Sequence, residues 1–142
     1  MIGVSNPITF RILVVDDYEP WRRSLRSILQ KDPSLQVIGE AEHGFDALHK
    51  ATELKPDLIL LDIHLPDIDG IEVSSRIGDL IPDTKILFVS QVKNLDIVKA
   101  AMGDGMRGFV WKMDTATELL PAIQTVLRGE RFISKGIKAH AL

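Results

Sequence analysis

The stretch RILVVDDYEP, residues 11–20, joins a short apolar run to two consecutive aspartates. The run RILVV (11–15) has the length and the β-branched content of a buried strand. Asp16 and Asp17 follow it directly, although an unpaired carboxylate is costly to bury. This arrangement makes sense if the strand ends at an edge of the molecule where both aspartates meet solvent or a bound group.

The rest of the chain repeats this pattern of a short apolar run followed by a segment of helical period. Four further runs are predicted strands: LQVIGEA (35–41), DLILL (57–61), KILFVS (85–90) and GFVW (108–111). Apolar residues spaced three and four positions apart predict a helix after every strand. Five such βα units predict an α/β fold, namely a doubly wound five-stranded parallel sheet with helices on both faces.

Length and composition are those of one ordinary globular domain. The 142 residues contain no cysteine, which excludes disulfides and thiolate metal sites. Their net charge of −3 gives no reason to expect nucleic acid or an anionic membrane as a direct partner. No apolar run reaches the roughly 20 residues that span a bilayer. We expect a cytoplasmic domain at residues 11–129, an N-terminal extension at 1–10, and a tail or the start of a linker at 130–142.

Polar side chains end four of the predicted strands. In doubly wound sheets the ligand site lies outside the carboxyl ends of the strands. The residues delivered to that edge are Asp16 and Asp17 after the first strand, Asp62 after the third, Ser90 at the end of the fourth, and Lys112 after the fifth.

This set of side chains suits phosphoryl chemistry. Three crowded carboxylates repel one another, and a divalent cation such as Mg²⁺ relieves the repulsion with oxygen ligands. A lysine supplies positive charge to a phosphoryl group, and a serine hydroxyl donates a hydrogen bond to it. A carboxylate can itself attack phosphorus and form an aspartyl-phosphate. The joint pattern therefore predicts phosphoryl transfer assisted by a metal ion.

Over roughly residues 10–129 the sequence resembles the receiver domain of two-component response regulators. The resemblance is carried by VVDD (14–17), LILLDIHLPDIDG (58–70), ILFVS (86–90) and GFVWK (108–112), which occur in the family's order and spacing. The segment TVLRGERFISKGIKAHAL (125–142) resembles the stretch that follows the receiver in LuxR/NarL-type transcription regulators. The resemblance implies the flavodoxin-like receiver fold.

It also implies a phosphoacceptor and a metal site. Asp62 would accept the phosphoryl group. Asp16, Asp17 and Asp62 would bind Mg²⁺ together with the backbone carbonyl of His64. The donor would be a phosphohistidine on a histidine kinase or a phosphotransfer protein.

The resemblance further implies a switch. Ser90 and Lys112 would contact the phosphoryl group, and Phe109 would be the aromatic residue that changes rotamer with phosphorylation. Gln91 stands where the family usually has a small residue, so we expect Gln91 and His64 to tune access to the phosphoryl group. The output surface would be formed by the fourth helix, the fifth strand and the fifth helix.

The implied function is a signalling module, not an enzyme with an external product. It would control a DNA-binding output domain absent from this chain, and it would not bind DNA or a membrane itself; homodimer formation is an open expectation. Alternatives are a stand-alone single-domain receiver or a phosphorylation-independent pseudo-receiver. An aspartyl-phosphate phosphohydrolase would need the motif DxDx[TV] after the first strand, and Asp16-Asp17-Tyr18 does not fit it. A flavin-binding domain would need a phosphate loop at the same place, where two aspartates would repel the phosphate.

Overall fold

Strands and helices alternate along the chain in the computed structural model, which describes residues 8–103, 105 and 107–141. The elements are β1 (Phe10–Val15), α1 (Glu19–Leu29), β2 (Leu35–Ala41), α2 (Gly44–Leu54), β3 (Leu58–Leu61), α3 (Gly70–Leu80), β4 (Lys85–Ser90), α4 (Leu95–Met102), β5 (Gly108–Trp111), a 3-10 turn (Lys112–Asp114), α5 (Thr115–Leu127), β6 (Phe132–Ile133) and α6 (Lys135–Ala141). The doubly wound α/β prediction is confirmed.

The strands form one parallel sheet in the order β2-β1-β3-β4-β5-β6. The predicted number of five strands was wrong, because the short β6 pairs with β5 and extends the sheet. A strand of two residues is too short to show a period of two, so the sequence pattern gave no sign of it. The first crossover adds β2 on one side of β1, and the next adds β3 on the other side. The strand order therefore reverses between β1 and β3, which is the position where ligands bind in doubly wound sheets.

Two apolar cores lie on opposite faces of the sheet, because alternate residues of a strand point to opposite sides. In β1, Leu13 and Val15 belong to the core beneath α2, α3 and α4. Ile12 and Val14 belong to the core beneath α1 and α5. Burial on both faces explains why the central strands are continuous apolar runs rather than alternating ones.

The segment after α5 packs against the sheet. Ser134 is fully buried, and its hydroxyl accepts a hydrogen bond from the Trp111 N–H at 2.9 Å. Gly136 lies against the Trp111 ring so closely that a Cβ there would overlap it, and the Gly136 N–H donates to the Asp114 carboxylate at 2.8 Å. Ile137 is buried in the same core as Phe109. These contacts dock β6 and α6 on β5 and the turn that follows it.

The predicted boundaries agree with these elements to within a few residues. The strand predicted from residue 11 begins at Phe10, and most of the predicted N-terminal extension, residues 1–7, lies outside the described residues. The domain boundary at residue 129 stays a prediction. No secondary structure was predicted for the tail beyond residue 129, which contains β6 and α6. No helix in the described ranges has the length and apolar character needed to cross a membrane.

Candidate functional site

A cleft of about 270 Å³ opens at the carboxyl edge of the sheet. It is lined by Asp16, Asp17, Tyr18, Asp62, His64, Gln91 and Lys112. Six of these seven residues are among those singled out from the sequence. The cleft lies at the carboxyl ends of β1 and β3, the two strands between which the order of the sheet reverses.

Pairing of adjacent strands brings the acidic residues together. Val15 is opposite Leu61 in the β1–β3 register, and the Asp62 N–H donates to the Val15 carbonyl at 3.1 Å. On the other side of β1, the Asp16 N–H donates to the Ala41 carbonyl at 3.1 Å. The carboxylates of Asp16 and Asp62 are therefore attached to a backbone whose position the sheet determines.

The three carboxylates form a cluster suited to a divalent cation. Each of Asp16, Asp17 and Asp62 offers an oxygen atom within 4.8 Å of the others. Asp16 and Asp62 are 1% and 6% exposed, whereas Asp17 is open to solvent. Oδ2 of Asp16 is buried and accepts no hydrogen bond from any described residue. A buried oxygen without a hydrogen bond, next to two more carboxylates, fits the oxygen-ligand chemistry of Mg²⁺.

The ammonium of Lys112 bridges the two buried carboxylates. Its Nζ lies 2.7 Å from Oδ2 of Asp16 and 3.3 Å from Oδ2 of Asp62. Only the contact with Asp62 has the direction of a hydrogen bond. The side chain of Lys112 is 11% exposed, so these charges interact in a largely dry environment.

Burial raises the pKa of the Asp62 carboxyl above its ordinary value; Lys112 opposes the shift, and the Asp16 carboxylate adds to it. The backbone N–H of Ile63 also donates to Oδ1 of Asp62 at 2.7 Å, which lowers the same pKa. The two oxygens of Asp62 thus have different partners. Oδ1 faces the backbone, and Oδ2 faces Lys112.

Neighbouring residues support the backbone of both buried aspartates. The guanidinium of Arg22, itself 6% exposed, donates to the Asp16 carbonyl at 2.7 Å and forms an ion pair with Glu40 at 2.9 Å. Gly70 packs against the Asp62 carbonyl so closely that any Cβ would overlap it. The glycine of the DIDG segment is thereby explained as a site of close approach.

Two of the predicted site residues lie outside the cleft. Ser90 is fully buried at the end of β4, and its hydroxyl accepts a hydrogen bond from the Val92 N–H at 3.2 Å. Phe109 is also fully buried, with its ring stacked on Phe88 at 6.0 Å between centroids. By contrast, His64 and Gln91 are exposed at the cleft.

Sequence reasoning missed two functional neighbours on α1. Arg22 supports Asp16, and the ring of Trp21 lies 5.1 Å from the Lys112 ammonium. Trp21 also packs against the core beneath α1 and α5. The available signal was its position four residues after Asp17, within one helical turn of the cluster.

A sequence profile described as the response regulator receiver domain matches residues 12–124. The chain belongs to the response regulator receiver domain family. The match covers every element from β1 into α5. It includes all the residues at the cleft, so the predicted resemblance is confirmed for the part of the chain that carries the acidic cluster.

Individual relatives point to the predicted subgroup. The receiver domain is 34% identical over 123 residues to the response regulator protein VraR of Staphylococcus aureus, covering 87% of this chain and 59% of that protein. The chain thus spans just under three fifths of the length of the curated relatives it matches.

Solved structures of receiver domains have the same fold as this chain. A LuxR-family two-component response regulator from Aurantimonas sp. SI85-9A1 matches with a TM-score of 0.87 and 30% identity, over 92% of this chain and 94% of that one. The response regulator domain of Thermotoga maritima CheB matches with a TM-score of 0.77 and 32% identity, over 84% and 97%. The flavodoxin-like receiver fold is therefore confirmed, and the first of these structures supports the LuxR/NarL-type assignment.

Proposed function

We propose that this receiver domain accepts a phosphoryl group on Asp62 and that the modified domain changes its contacts with an output module. The observation that carries the proposal is the position of the Asp62 carboxylate, which shares one cleft with two further carboxylates and the Lys112 ammonium. An acceptor, a set of metal ligands and a neutralising cation are what transfer to a carboxylate requires.

In the proposed reaction, a carboxylate oxygen of Asp62 attacks the phosphorus of a phosphohistidine. A P–O bond forms to Asp62, and the P–N bond to the histidine breaks, returning that imidazole to its neutral form with a proton from solvent. Asp16, Asp17, Asp62 and the His64 carbonyl would bind Mg²⁺, which when bound neutralises charge on the transferring group. The Lys112 ammonium would pair with a phosphoryl oxygen in place of its contact with Asp62.

The phosphodonor in this proposal is a histidine kinase or a phosphotransfer protein, as is usual for two-component receivers. A phosphoryl group adds about −1.5 to −2 charge and strong acceptor oxygens at Asp62. Ser90 would exchange its hydrogen bond with the Val92 N–H for one with the phosphoryl group. The loop between β4 and α4 would then move, and with it Phe109 and the surface formed by α4, β5 and α5.

The output is proposed from the relatives. VraR is a response regulator longer than this chain, and the Aurantimonas regulator belongs to the LuxR family. We infer a DNA-binding output domain, transcription control in the cytoplasm, and pairing of two phosphorylated copies. Size-exclusion chromatography with light scattering, with and without phosphorylation, tests the pairing.

Intact mass after incubation with Mg²⁺ and acetyl phosphate tests the acceptor. We expect a gain of one phosphoryl group in the parent and in Asp83→Asn, an exposed aspartate at the opposite edge of the sheet. Asp62→Asn is expected to gain none. If the parent gains none while calorimetry shows Mg²⁺ binding, the domain is a pseudo-receiver, and Gln91→Ala then tests whether that side chain blocks Asp62.

A further inference from the structure

The ammonium of Lys112 has an aromatic neighbour besides its two carboxylates. The Trp21 ring centroid lies 5.1 Å from Nζ, within the range of a cation–π contact. Trp21 lies in the first turn of α1, directly after the loop that carries Asp16 and Asp17. The indole is therefore an aromatic neighbour of the Lys112 ammonium, although it does not line the cleft itself.

The indole is fixed by its surroundings. The backbone N–H of Trp21 donates to the Tyr18 carbonyl at 3.1 Å. The Tyr18 N–H in turn donates to Oδ1 of Asp16 at 2.9 Å. The ring packs against the core beneath α1 and α5, and its Nε1 is buried without a hydrogen bond among the described residues. Packing, not hydrogen bonding, thus determines where the ring face lies.

The carboxylates and the ring respond differently to a bound cation. Lys112 is attracted to Asp16 and Asp62 by their negative charge, and a divalent cation on those carboxylates cancels most of that attraction. The ring carries no net charge, so its attraction for the ammonium persists. After metal binding, the ring is the contact that continues to favour the present position of Nζ.

Resting on the proposed function of Asp62, we propose that Trp21 is a positioning residue for Lys112. Its ring keeps the ammonium beside Asp62 while Mg²⁺ occupies the carboxylates, so that the ammonium meets the incoming phosphoryl oxygen without a search of its rotamers. Trp21 does not contact the phosphoryl group in this role. It acts on the rate through Lys112 alone.

Two substitutions at position 21 separate the effect of the aromatic ring face from the effect of side-chain size. Trp21→Phe keeps a ring, and Trp21→Leu keeps an apolar side chain without one. Phe45→Leu is the matched control, because it removes an exposed aromatic ring that lies 5.8 Å from the Arg76 guanidinium and is not part of the cleft. Circular dichroism confirms that each variant is folded before it is compared.

The first readout is the phosphorylation rate from acetyl phosphate with Mg²⁺, followed by intact mass. Loss of a cation–π contact predicts a rate about three- to tenfold lower in Trp21→Leu. Trp21→Phe should recover at least about half of the parent rate, and Phe45→Leu should match the parent to within about twofold. Equal slowing by Phe and Leu at position 21 would refute the role of the ring face.

The second readout needs no phosphorylation. A ring face beside the Lys112 side chain shifts its ε-CH₂ protons upfield in the NMR spectrum. We expect this shift in the parent with and without Mg²⁺, and its loss in Trp21→Leu. An unshifted Lys112 in the Mg²⁺-bound parent overturns the inference even if Asp62 is phosphorylated. If Asp62 is not phosphorylated, the proposed function fails, and the NMR measurement still decides the position of Lys112.

Discussion

The Lys112 ammonium lies closer to Asp16 than to Asp62, at 2.7 Å against 3.3 Å. Asp62 is the predicted acceptor, yet the lysine is nearer to a predicted metal ligand. A metal ion held by the acidic cluster would therefore compete with the lysine for the same buried oxygen of Asp16. In the proposed function this competition is useful, because a bound cation would weaken the attraction of Asp16 for the lysine and leave the ammonium free to pair with a phosphoryl group.

Removal of the competing lysine should tighten metal binding. Lys112→Met keeps most of the side-chain volume but lacks the charge. Because a like charge next to the cation site disappears, we expect the dissociation constant for Mg²⁺ to fall about three- to tenfold. Titration calorimetry measures it, with Lys85→Met at the other end of the sheet as control. Weaker Mg²⁺ binding in Lys112→Met would show that the lysine supports the cation site instead.

Arg22 should contribute both stability and metal affinity. Arg22→Gln removes the donor to the buried Asp16 carbonyl and the ion pair with Glu40. An unsatisfied buried carbonyl predicts a loss of about 1–3 kcal/mol in the free energy of unfolding by urea, together with weaker Mg²⁺ binding. Arg23→Gln is the matched control, because the Arg23 side chain is 71% exposed, and it should change stability by less than about 0.5 kcal/mol. A result in which both variants behave alike would mean that the Asp16 carbonyl finds another donor.

Contact between Gly136 and Trp111 should determine whether the tail stays docked. Gly136→Val places a branched side chain against the indole and against Asp114. Overpacking of this kind costs about 1–3 kcal/mol and would make local opening of the tail easier. We therefore expect amide hydrogen exchange at residues 132–137 to be at least about fivefold faster than in the parent. Lys138→Val tests the same change at an exposed position of α6 and should leave exchange as in the parent. Unchanged exchange in Gly136→Val would mean that the indole moves aside at no cost.

Stability should depend on pH through Asp67. Partial burial raises the pKa of its carboxyl, but N–H donors at Phe45, Gly44 and Ile68 outweigh this and lower the pKa to about 2. Because the folded-state pKa is lowered, the carboxylate stabilises the fold fully above the ordinary aspartate pKa of about 3.9 and less as pH falls toward about 2.

We therefore expect Asp67→Asn to be less stable than the parent at pH 7, by a margin that shrinks below about pH 4. Urea unfolding at a series of pH values measures the margin. Asp83→Asn, an exposed aspartate, should show no such trend. A margin that grows on acidification would contradict the assignment of the effect to Asp67.

Much of the fold could be predicted from local patterns. β4 and β5 have the predicted bounds, and β3 is one residue shorter at its start. Local patterns succeed here because the central strands are buried on both faces, which makes them unbroken apolar runs. The same patterns failed for β6, whose two residues owe their conformation to pairing with β5.

By itself, the sequence determined that four charged residues reach the cleft. Asp16, Asp17, Asp62 and Lys112 each follow a strand, and parallel strands bring their carboxyl ends to one edge whatever the details of packing. Only the tertiary structure decided how these side chains meet. The nearer position of Lys112 to Asp16, and the indole of Trp21 beside it, depend on how α1 and α5 lie across the sheet. Such contacts join residues far apart in the chain, so no local period encodes them.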